Sequence, residues 1–539
     1  MSFEYKKYFP HPEVREAQHD SIEFALDALL NQGKRYVIIE AGTGVGKSAV
    51  GLTVAKYIQN HPDQVEGDFL PGSYFLTTQK ILQDQYVSDF GLLGMRTVKS
   101  SSNYRCKYNS NTNCNEGQKG LRTAEKGGAY FKTCTFNCTY KKTRREFLDS
   151  QLGVTNFPYF ITEATYSGKI TPREVLVVDE AHNATAELSK FIEVAITERF
   201  VKSTLKMRLP DLSTQFQLLT WIKDVYYPKL SSHLKHVENM LEKYEDLKTK
   251  LTEFINLARK LDLIKAHCSK IERFLEIYDK NNWVMNLLAS DGKRGRKIEF
   301  KPIDVSQYSE ELLFRLGRRV VLMTATILDK KGFCETLGIP EEESAFISIP
   351  SPFPISNRPI ITAPIGRMSA KEIESTLPKM ANAVREILKE HKNDKGIIHC
   401  HTFRIANYLK RNVKSKRLLI HDHSNRDEIL SRHINSVEPT VLLSPSMTEG
   451  IDLGGDKSRF QILCKIPYPY LGDKLVKKRM NKWKWWYPLQ TAKTIVQSTG
   501  RSIRSMNDHA VTYILDADWD RFYDRNRQFF PREFKDRLQ

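Results

Sequence analysis

The chain has 539 residues, 40% hydrophobic and 27% charged, with 83 Lys plus Arg against 64 Asp plus Glu and a net charge of +19. This excludes a disordered, collagen-like or disulfide-stapled chain and predicts several domains with cores of their own. The charge excess points to a polyanionic partner, nucleic acid first, with a basic surface lacking a specific partner as the alternative. No apolar run approaches the ~18 residues of a membrane span. The opening MSFEYKKYFPHPEVREAQ lacks a signal-peptide core. A cytoplasmic protein with no membrane partner is therefore expected, and eight cysteines without an export signal fit a reducing compartment.

In chain order, YVIIEA (36–41) reads as a buried strand, followed by a glycine-rich turn and a helical pattern over 48–59 with Val50, Val54, Ala55 and Ile58 apolar. Strand, loop and helix form the setting of a phosphate loop. The turn reads Ala41-Gly42-Thr43-Gly44-Val45-Gly46-Lys47-Ser48. Ala41 replaces the first glycine of the strict pattern. Backbone N–H groups from Gly44 to Ser48 can face phosphate oxygens, Lys47 can neutralise them, and Ser48 can ligate magnesium. A second strand is expected at 73–76.

Residues 96–150 break the rhythm. They carry 12 Lys/Arg and 4 Asp/Glu, net +8, with many Asn, Gly and Thr. They also hold Cys106, Cys114, Cys134 and Cys138, spaced C-x7-C-x19-C-x3-C. Such a segment is expected to be stabilised by something other than an apolar core, and four thiolates suit an iron–sulfur cluster or zinc. Cys268, Cys334, Cys400 and Cys464 stand alone and read as buried small hydrophobes.

A strand at 174–178 runs into Asp179-Glu180-Ala181-His182. An acidic pair at the end of a parallel strand suits a nucleotide site. There Asp179 would hold magnesium and Glu180 would orient and deprotonate the attacking water. Residues 203–295 break the rhythm again. Leu234, Val237, Leu241, Tyr244, Leu251, Phe254 and Leu261 follow a near-heptad seam, and no Pro or Gly interrupts 229–291. A long, partly coiled-coil helix is expected, ending in the exposed turn DGKRGRK (291–297), with a purely packing helical subdomain as the alternative.

Further strands are expected at 319–323, 396–400, 440–443, 460–466 and 510–515, separated by helical patterns as in parallel α/β sheets. His399-Cys400-His401 alternates along a strand and reads as structural. Trp483, Trp485 and Trp486 lie among lysines and read either as base-stacking or as packing residues. In Gln497-Ser-Thr-Gly500-Arg501-Ser-Ile-Arg504, the polar residues fall at helical spacing. Arginines brought to a γ-phosphate would stabilise the charge that develops on its cleavage.

These motifs, in this order, resemble over nearly the whole chain the XPD/DinG-type iron–sulfur helicases of superfamily 2. Arg15 and Gln18 resemble the adenine-side Q motif. Thr77, Thr78 and Gln79 resemble motif Ia, which touches nucleic acid. Residues 41–48 resemble motif I and 179–182 motif II, where the resemblance gives His182 a coupling role. Thr324-Ala325-Thr326 resembles the coupling motif III, with Thr where the family commonly has Ser. Glu449-Gly450-Ile451-Asp452 resembles motif V, giving Glu449 a coupling and Asp452 a nucleotide role. Residues 497–504 resemble motif VI.

The resemblance implies two RecA-like α/β lobes, with an iron–sulfur domain and a helical arch inserted in the first. Lobe 1 then comprises 1–95, 151–202 and 296–348, the cluster domain 96–150, the arch 203–295, and lobe 2 349–539. It implies ATP, Mg2+ and a 4Fe–4S cluster on the four clustered cysteines. It also implies 5′→3′ movement of a monomer on single-stranded DNA and at DNA junctions, in repair, replication or recombination. With 40 residues before the phosphate loop, no attached nuclease domain is expected. Two alternatives stay open: a translocase that remodels nucleoprotein without unwinding, and a zinc-containing nucleic-acid-binding ATPase switch.

Overall fold

The computed structural model describes residues 3–42, 44–61, 68–121, 124–245, 251–289, 295–422, 424–445 and 453–539. Thr43, most of the turn at 291–297 and all of Glu449-Gly450-Ile451-Asp452 lie outside the described residues. Each of the expected strands is present. In chain order the strands are β1 (Tyr36–Ala41), β2 (Leu70–Thr77), β3 (Met95–Thr97), β4 (Leu152–Asn156), β5 (Arg173–Asp179), β6 (Val194–Thr197), β7 (Trp283–Leu288) and β8 (Lys297–Pro302). Then follow β9 (Gly317–Thr324), β10 (Ser344–Ile349), β11 (Ile360–Gly366), β12 (Gly396–His399), β13 (Leu418–Ile420), β14 (Val441–Ser444), β15 (Phe460–Leu463) and β16 (Val511–Asp516).

They form two parallel sheets, one per lobe. The first has the order β10-β1-β9-β5-β2-β4-β3 and the second β11-β16-β15-β12-β14-β13. Helices cover both faces, so central strands such as β1 are buried along their whole length and read as continuous apolar runs. The strand order positions the site. Ligands of open parallel sheets bind beyond the carboxyl ends of the strands. β9 lies between β1 and β5. The loops after β1, β9 and β5, which carry motifs I, III and II, therefore emerge side by side. The segment after β10 emerges next to the phosphate loop.

The helical insertion differs from the expected single long helix. Two helices, Tyr227–Glu245 and Leu251–Ile277, form a hairpin. Tyr226 Oη meets His267 Nε2 at 2.7 Å and Tyr227 bonds Glu272, which pairs the start of one with the end of the other. The seam serves this mutual packing: Val237, Leu241, Phe254 and Leu261 are buried. The side chains of Tyr244 and Leu251 lie outside the described residues. The hairpin is rooted in an antiparallel sheet, β6-β8-β7.

The cysteine-rich segment is joined to lobe 1 at both ends. β3 pairs with β4, and Tyr140 and Phe147 of the helix Thr139–Asp149 enter the lobe's core. Between residues 99 and 137, the only buried residues among those described are Cys114, Gly117, Gly120 and Cys134.

Candidate active site between the lobes

The phosphate loop leaves β1 and feeds the helix Lys47–Asn60. Gly46 takes φ +86°, a conformation that favours glycine, and its open side faces the end of the Gln18 side chain. Gln18 is buried against the loop and its carbonyl oxygen accepts from Arg15 N–H at 3.0 Å. Exposed Arg15 reaches back to donate to Gly44 O at 3.0 Å. The two residues read as a Q motif thus brace the loop from its outer side. Lys47 donates to Ala41 O at 3.1 Å across the turn.

β5 delivers Asp179 into a fully buried position. Burial pushes its carboxyl upward, opposed by the Lys47 ammonium and by a hydrogen bond from Tyr86. Tyr86 Oη donates to Asp179 Oδ2 at 3.0 Å, and the Ser48 side chain nearby favours the ionised phenol. Asp179 Oδ1 accepts from Glu180 N–H at 2.9 Å. Ser48 and Asp179 thus both lie near Tyr86, and this pair of oxygen donors beside a phosphate loop fits Mg2+. Glu180 sits at φ 52°, a conformation rarely adopted by a non-glycine residue. Its Oε2 lies 3.3 Å from His182 Nδ1. That nitrogen also meets Thr324 Oγ1 at 2.6 Å, linking motifs II and III. Burial, with Lys493, Arg501 and Lys47 nearby, pushes the imidazole down to about 3, so it is neutral at physiological pH.

Lobe 2 supplies the opposite wall. Gln497 Nε2 donates to Thr326 Oγ1 at 2.9 Å across the cleft. The expected helical face over 497–504 is not formed. The helix Trp486–Ser498 stops one residue after Gln497, and Gly500, Arg501 and Arg504 lie on the irregular segment beyond it. Backbone bonds hold that segment in place: Leu453 N–H donates to Arg501 O at 3.3 Å and Arg504 N–H to Asp508 Oδ2 at 2.8 Å. A cleft of about 260 Å³ is lined by Gly42, Lys47, Glu180, His182 and Thr326 on one side and by Gln497, Gly500, Arg501 and Arg504 on the other.

Motif reading missed several of the groups here. Glu40, buried at the end of β1, accepts from Ile327 N–H at 2.6 Å, Leu328 N–H at 2.8 Å and Ser348 Oγ at 2.8 Å, clamping the segment after motif III. Phe353 packs on Gly44, while Arg358, Glu533 and Arg537 line the far end of the cleft. Arg358 donates to Glu533 Oε2 at 3.2 Å, and Arg537 donates to Arg358 O at 2.7 Å. These come from segments after β10 and after β16 that carry no phosphate-loop signature. Tyr86 belongs to no motif. The only signal was a polar tip on a buried ring, which needs a partner.

Of the residues read as motif Ia, Thr77 is buried and its hydroxyl donates to Gln79 O at 3.1 Å. Thr78 is half-buried and Gln79 exposed. The tryptophan cluster packs between lobes: Trp483 is buried and donates to Glu335 Oε1 at 2.6 Å, and Trp485 lies against Gly332. His399 approaches Gln461 at 3.5 Å, His401 meets Tyr468 O at 3.2 Å, and Cys400 is a core residue. The trio packs within lobe 2, but not by strand alternation: the strand ends at His399, Cys400 is buried beside it, and His401 takes φ 61°.

Cys106, Cys114, Cys134 and Cys138 line one small cavity of about 10 Å³ and all are free thiols. Cys114 Sγ lies 3.2 Å from Cys138 Sγ, and Gly117 is pressed so closely that a Cβ would sit 2.7 Å from Cys106 Sγ. Burial pushes the Cys114 thiol up to about 12 and raises Cys134. Four thiols meeting at one cavity supply the donor type of a four-thiolate centre. No group of three or more His, Cys, Asp or Glu among the described residues is spaced to hold a metal ion, so the segment does not itself display one.

Comparison with known proteins agrees with this geometry. Residues 11–209 match the family described as type III restriction enzyme, res subunit, and residues 379–537 the helicase C-terminal domain. A probable ATP-dependent helicase of Methanocaldococcus jannaschii is 22% identical over 95% of this chain and 93% of its own length. The ATP-dependent DNA helicase YoaA of Haemophilus influenzae is 20% identical over 90% and 88%. Among solved structures, an XPD helicase superposes with a TM-score of 0.63 at 16% identity, covering 96% of this chain and 98% of the other. The Xpd4 protein of S. tokodaii gives 0.59 at 15% identity, covering 97% and 99%. Ordered motifs, fold and near-full-length relatives agree in making the chain similar to ATP-dependent helicases of the XPD/DinG type.

Proposed function

We propose that the protein is an ATP-driven DNA helicase that moves 5′→3′ along single-stranded DNA and opens duplexes at junctions. The observation that carries this reading is the two-sided cleft, with Lys47 and Glu180 on one lobe facing Arg501 and Arg504 on the other. In this reading the phosphates of ATP lie along Gly42–Ser48, with Arg15 and Gln18 behind the loop. Lys47 neutralises the β- and γ-phosphates. Glu180 orients the attacking water and takes its proton. Arg501 and Arg504 stabilise the charge spreading over the γ-phosphoryl oxygens. Ser48 and Asp179 hold Mg2+, which supplies charge neutralisation at the phosphates. Asp452 and Glu449 keep their nucleotide and coupling roles by resemblance.

Closure is read out by the hydrogen bonds from Gln497 to Thr326 and between Thr324 and His182, which join lobe 2 to motif II through motif III. One strand runs past Thr78 and Gln79, and each hydrolysis cycle advances the protein along it. The net charge of +19 supports a phosphate-tracking path, so single-strand affinity should fall steeply with log salt. DNA as substrate is supported by the Haemophilus relative's name; the 5′→3′ direction rests on family resemblance. In the same reading Cys106, Cys114, Cys134 and Cys138 hold a 4Fe–4S cluster, supported by their convergence on one cavity. The cluster would provide the structural core of the segment beside the junction. The protein is read as a cytoplasmic monomer associated with DNA.

The test is strand displacement on 5′-tailed and 3′-tailed duplexes by anaerobically purified protein, with Lys47→Ala as control. ATP-dependent opening of the 5′-tailed duplex alone is expected. Opening of the 3′-tailed duplex alone would reverse the polarity. DNA-stimulated ATPase without displacement would favour a remodelling translocase. Broad visible absorption with about four irons per chain marks the cluster, and stoichiometric zinc replaces it.

A further inference from the structure

Tyr86 stands where two functions meet. It belongs to the helix Lys80–Phe90, which begins immediately after Thr77-Thr78-Gln79. Seven residues separate Gln79 from Tyr86, two helical turns, so both fall on one side of the helix about 10 Å apart. At one end of this unit, Gln79 is exposed, among the residues whose resemblance to motif Ia implies contact with nucleic acid. At the other, Tyr86 is buried, its ring packed between Phe75 and Phe90. Its Oη donates to Asp179 Oδ2 at 3.0 Å, with the Ser48 side chain nearby. Midway along it, Gln83 donates to Val98 O at 3.2 Å and accepts from Asn156 Nδ2 at 3.2 Å. Because Lys80–Phe90 is one continuous α-helix, a shift of its first turn that carries these neighbours with it reaches Tyr86.

We propose that Tyr86 is a positioning residue through which nucleic acid bound at the start of this helix sets the geometry of the Ser48–Asp179 magnesium pair. The phenol fixes the carboxylate rotamer through Oδ2 while the Glu180 amide holds Oδ1. Partners of this kind, one bond beyond a metal ligand, typically change metal affinity by about 10- to 100-fold. The inference rests on the nucleotide reading above and adds to it the route by which a nucleic-acid contact reaches the hydrolytic centre.

The test is Tyr86→Phe in the full-length protein, which removes the hydroxyl and keeps the ring. Affinity for Mn2+ in the presence of ADP is measured by electron paramagnetic resonance, and ATPase with and without an oligothymidine. Mn2+ binding is expected to weaken roughly tenfold, and stimulation by the oligothymidine to be lost, with oligothymidine affinity and melting temperature unchanged. Phe90→Leu, which disturbs only the ring packing, should lower the melting temperature and leave Mn2+ affinity in place. Wild-type Mn2+ affinity in Tyr86→Phe overturns the positioning role. Weakened Mn2+ binding with undiminished stimulation overturns the relay. Wild-type protein that binds no Mn2+ with ADP would instead refute the nucleotide site, and this inference with it.

Discussion

The interlobe cleft and the cysteine segment are both polar sites in one chain, and they are built in opposite ways. In the cleft, Asp179 and Thr324 end strands whose own side chains form the core, and Lys47 opens the helix that follows β1. The sheet would stand without them. In the cysteine segment the candidate ligands themselves supply most of the burial: between 99 and 137 only two cysteines and two glycines are buried among the described residues. A segment with so little apolar surface cannot offset its own ordering entropy. Changing a cleft residue should therefore remove chemistry and spare the fold. Changing a cysteine should remove local fold and spare chemistry.

The largest effect is expected in the cleft. Glu180→Gln should lower kcat by about 10³- to 10⁴-fold and Arg501→Ala by about 10³-fold. Melting temperature should stay within a degree or two of wild type, read by steady-state ATPase and calorimetry. A variant that loses activity by unfolding would erase the contrast.

Cys134→Ser is the converse. Hydrogen exchange across 99–137 should approach that of an unfolded chain, and strand displacement should fail. ATPase stimulated by single strands should persist at a reduced level, because the lobes are tied together elsewhere by contacts such as Trp483 to Glu335. Protection across 99–137 equal to wild type would show that the segment has a core independent of its thiols.

Acidification sharpens the comparison by loading lobe 2 and sparing the cysteines. Burial pushes the His399 and His433 imidazoles down to about 4, so both are neutral in the folded state. Between pH 6.5 and pH 4 the unfolded chain binds protons that the folded chain refuses. Stability contributed by these groups is thus present above pH 6.5 and is lost as pH falls toward 4, on the order of 3 kcal/mol per histidine. Urea melts of His433→Asn at pH 5 and pH 7.5 should differ less than those of wild type.

The smallest effect belongs where the two insertions touch. Arg259 of the helical hairpin lies 3.0 Å from Glu116 of the cysteine segment. The pair is half-exposed, and Arg259→Ala should cost less than about 1 kcal/mol. A larger loss, measured by urea titration, would mean that the hairpin props the cysteine segment and that the segment owes less to its thiols.

Local sequence determined a good deal here. Short β-branched runs such as YVIIEA appear as strands at the expected places, because a strand buried on both faces must be apolar throughout. The phosphate loop and the acidic pair were legible because their chemistry depends on backbone conformation and side chains within a few consecutive residues. Tertiary structure decided what depends on distant segments meeting. The seam over 234–261 was visible, but pairing turned one expected helix into a hairpin. The spacing of Gln497, Gly500, Arg501 and Arg504 fitted a helix, yet the chain leaves it at Ser498, and the Leu453 amide and the Asp508 carboxylate hold the backbone of the two arginines at the cleft. Tyr86 and Glu40 are ordinary letters in their own segments. They become parts of the site only because sheet order brings β1, β9 and β5 together, and burial then obliges each polar tip to find a partner across that junction.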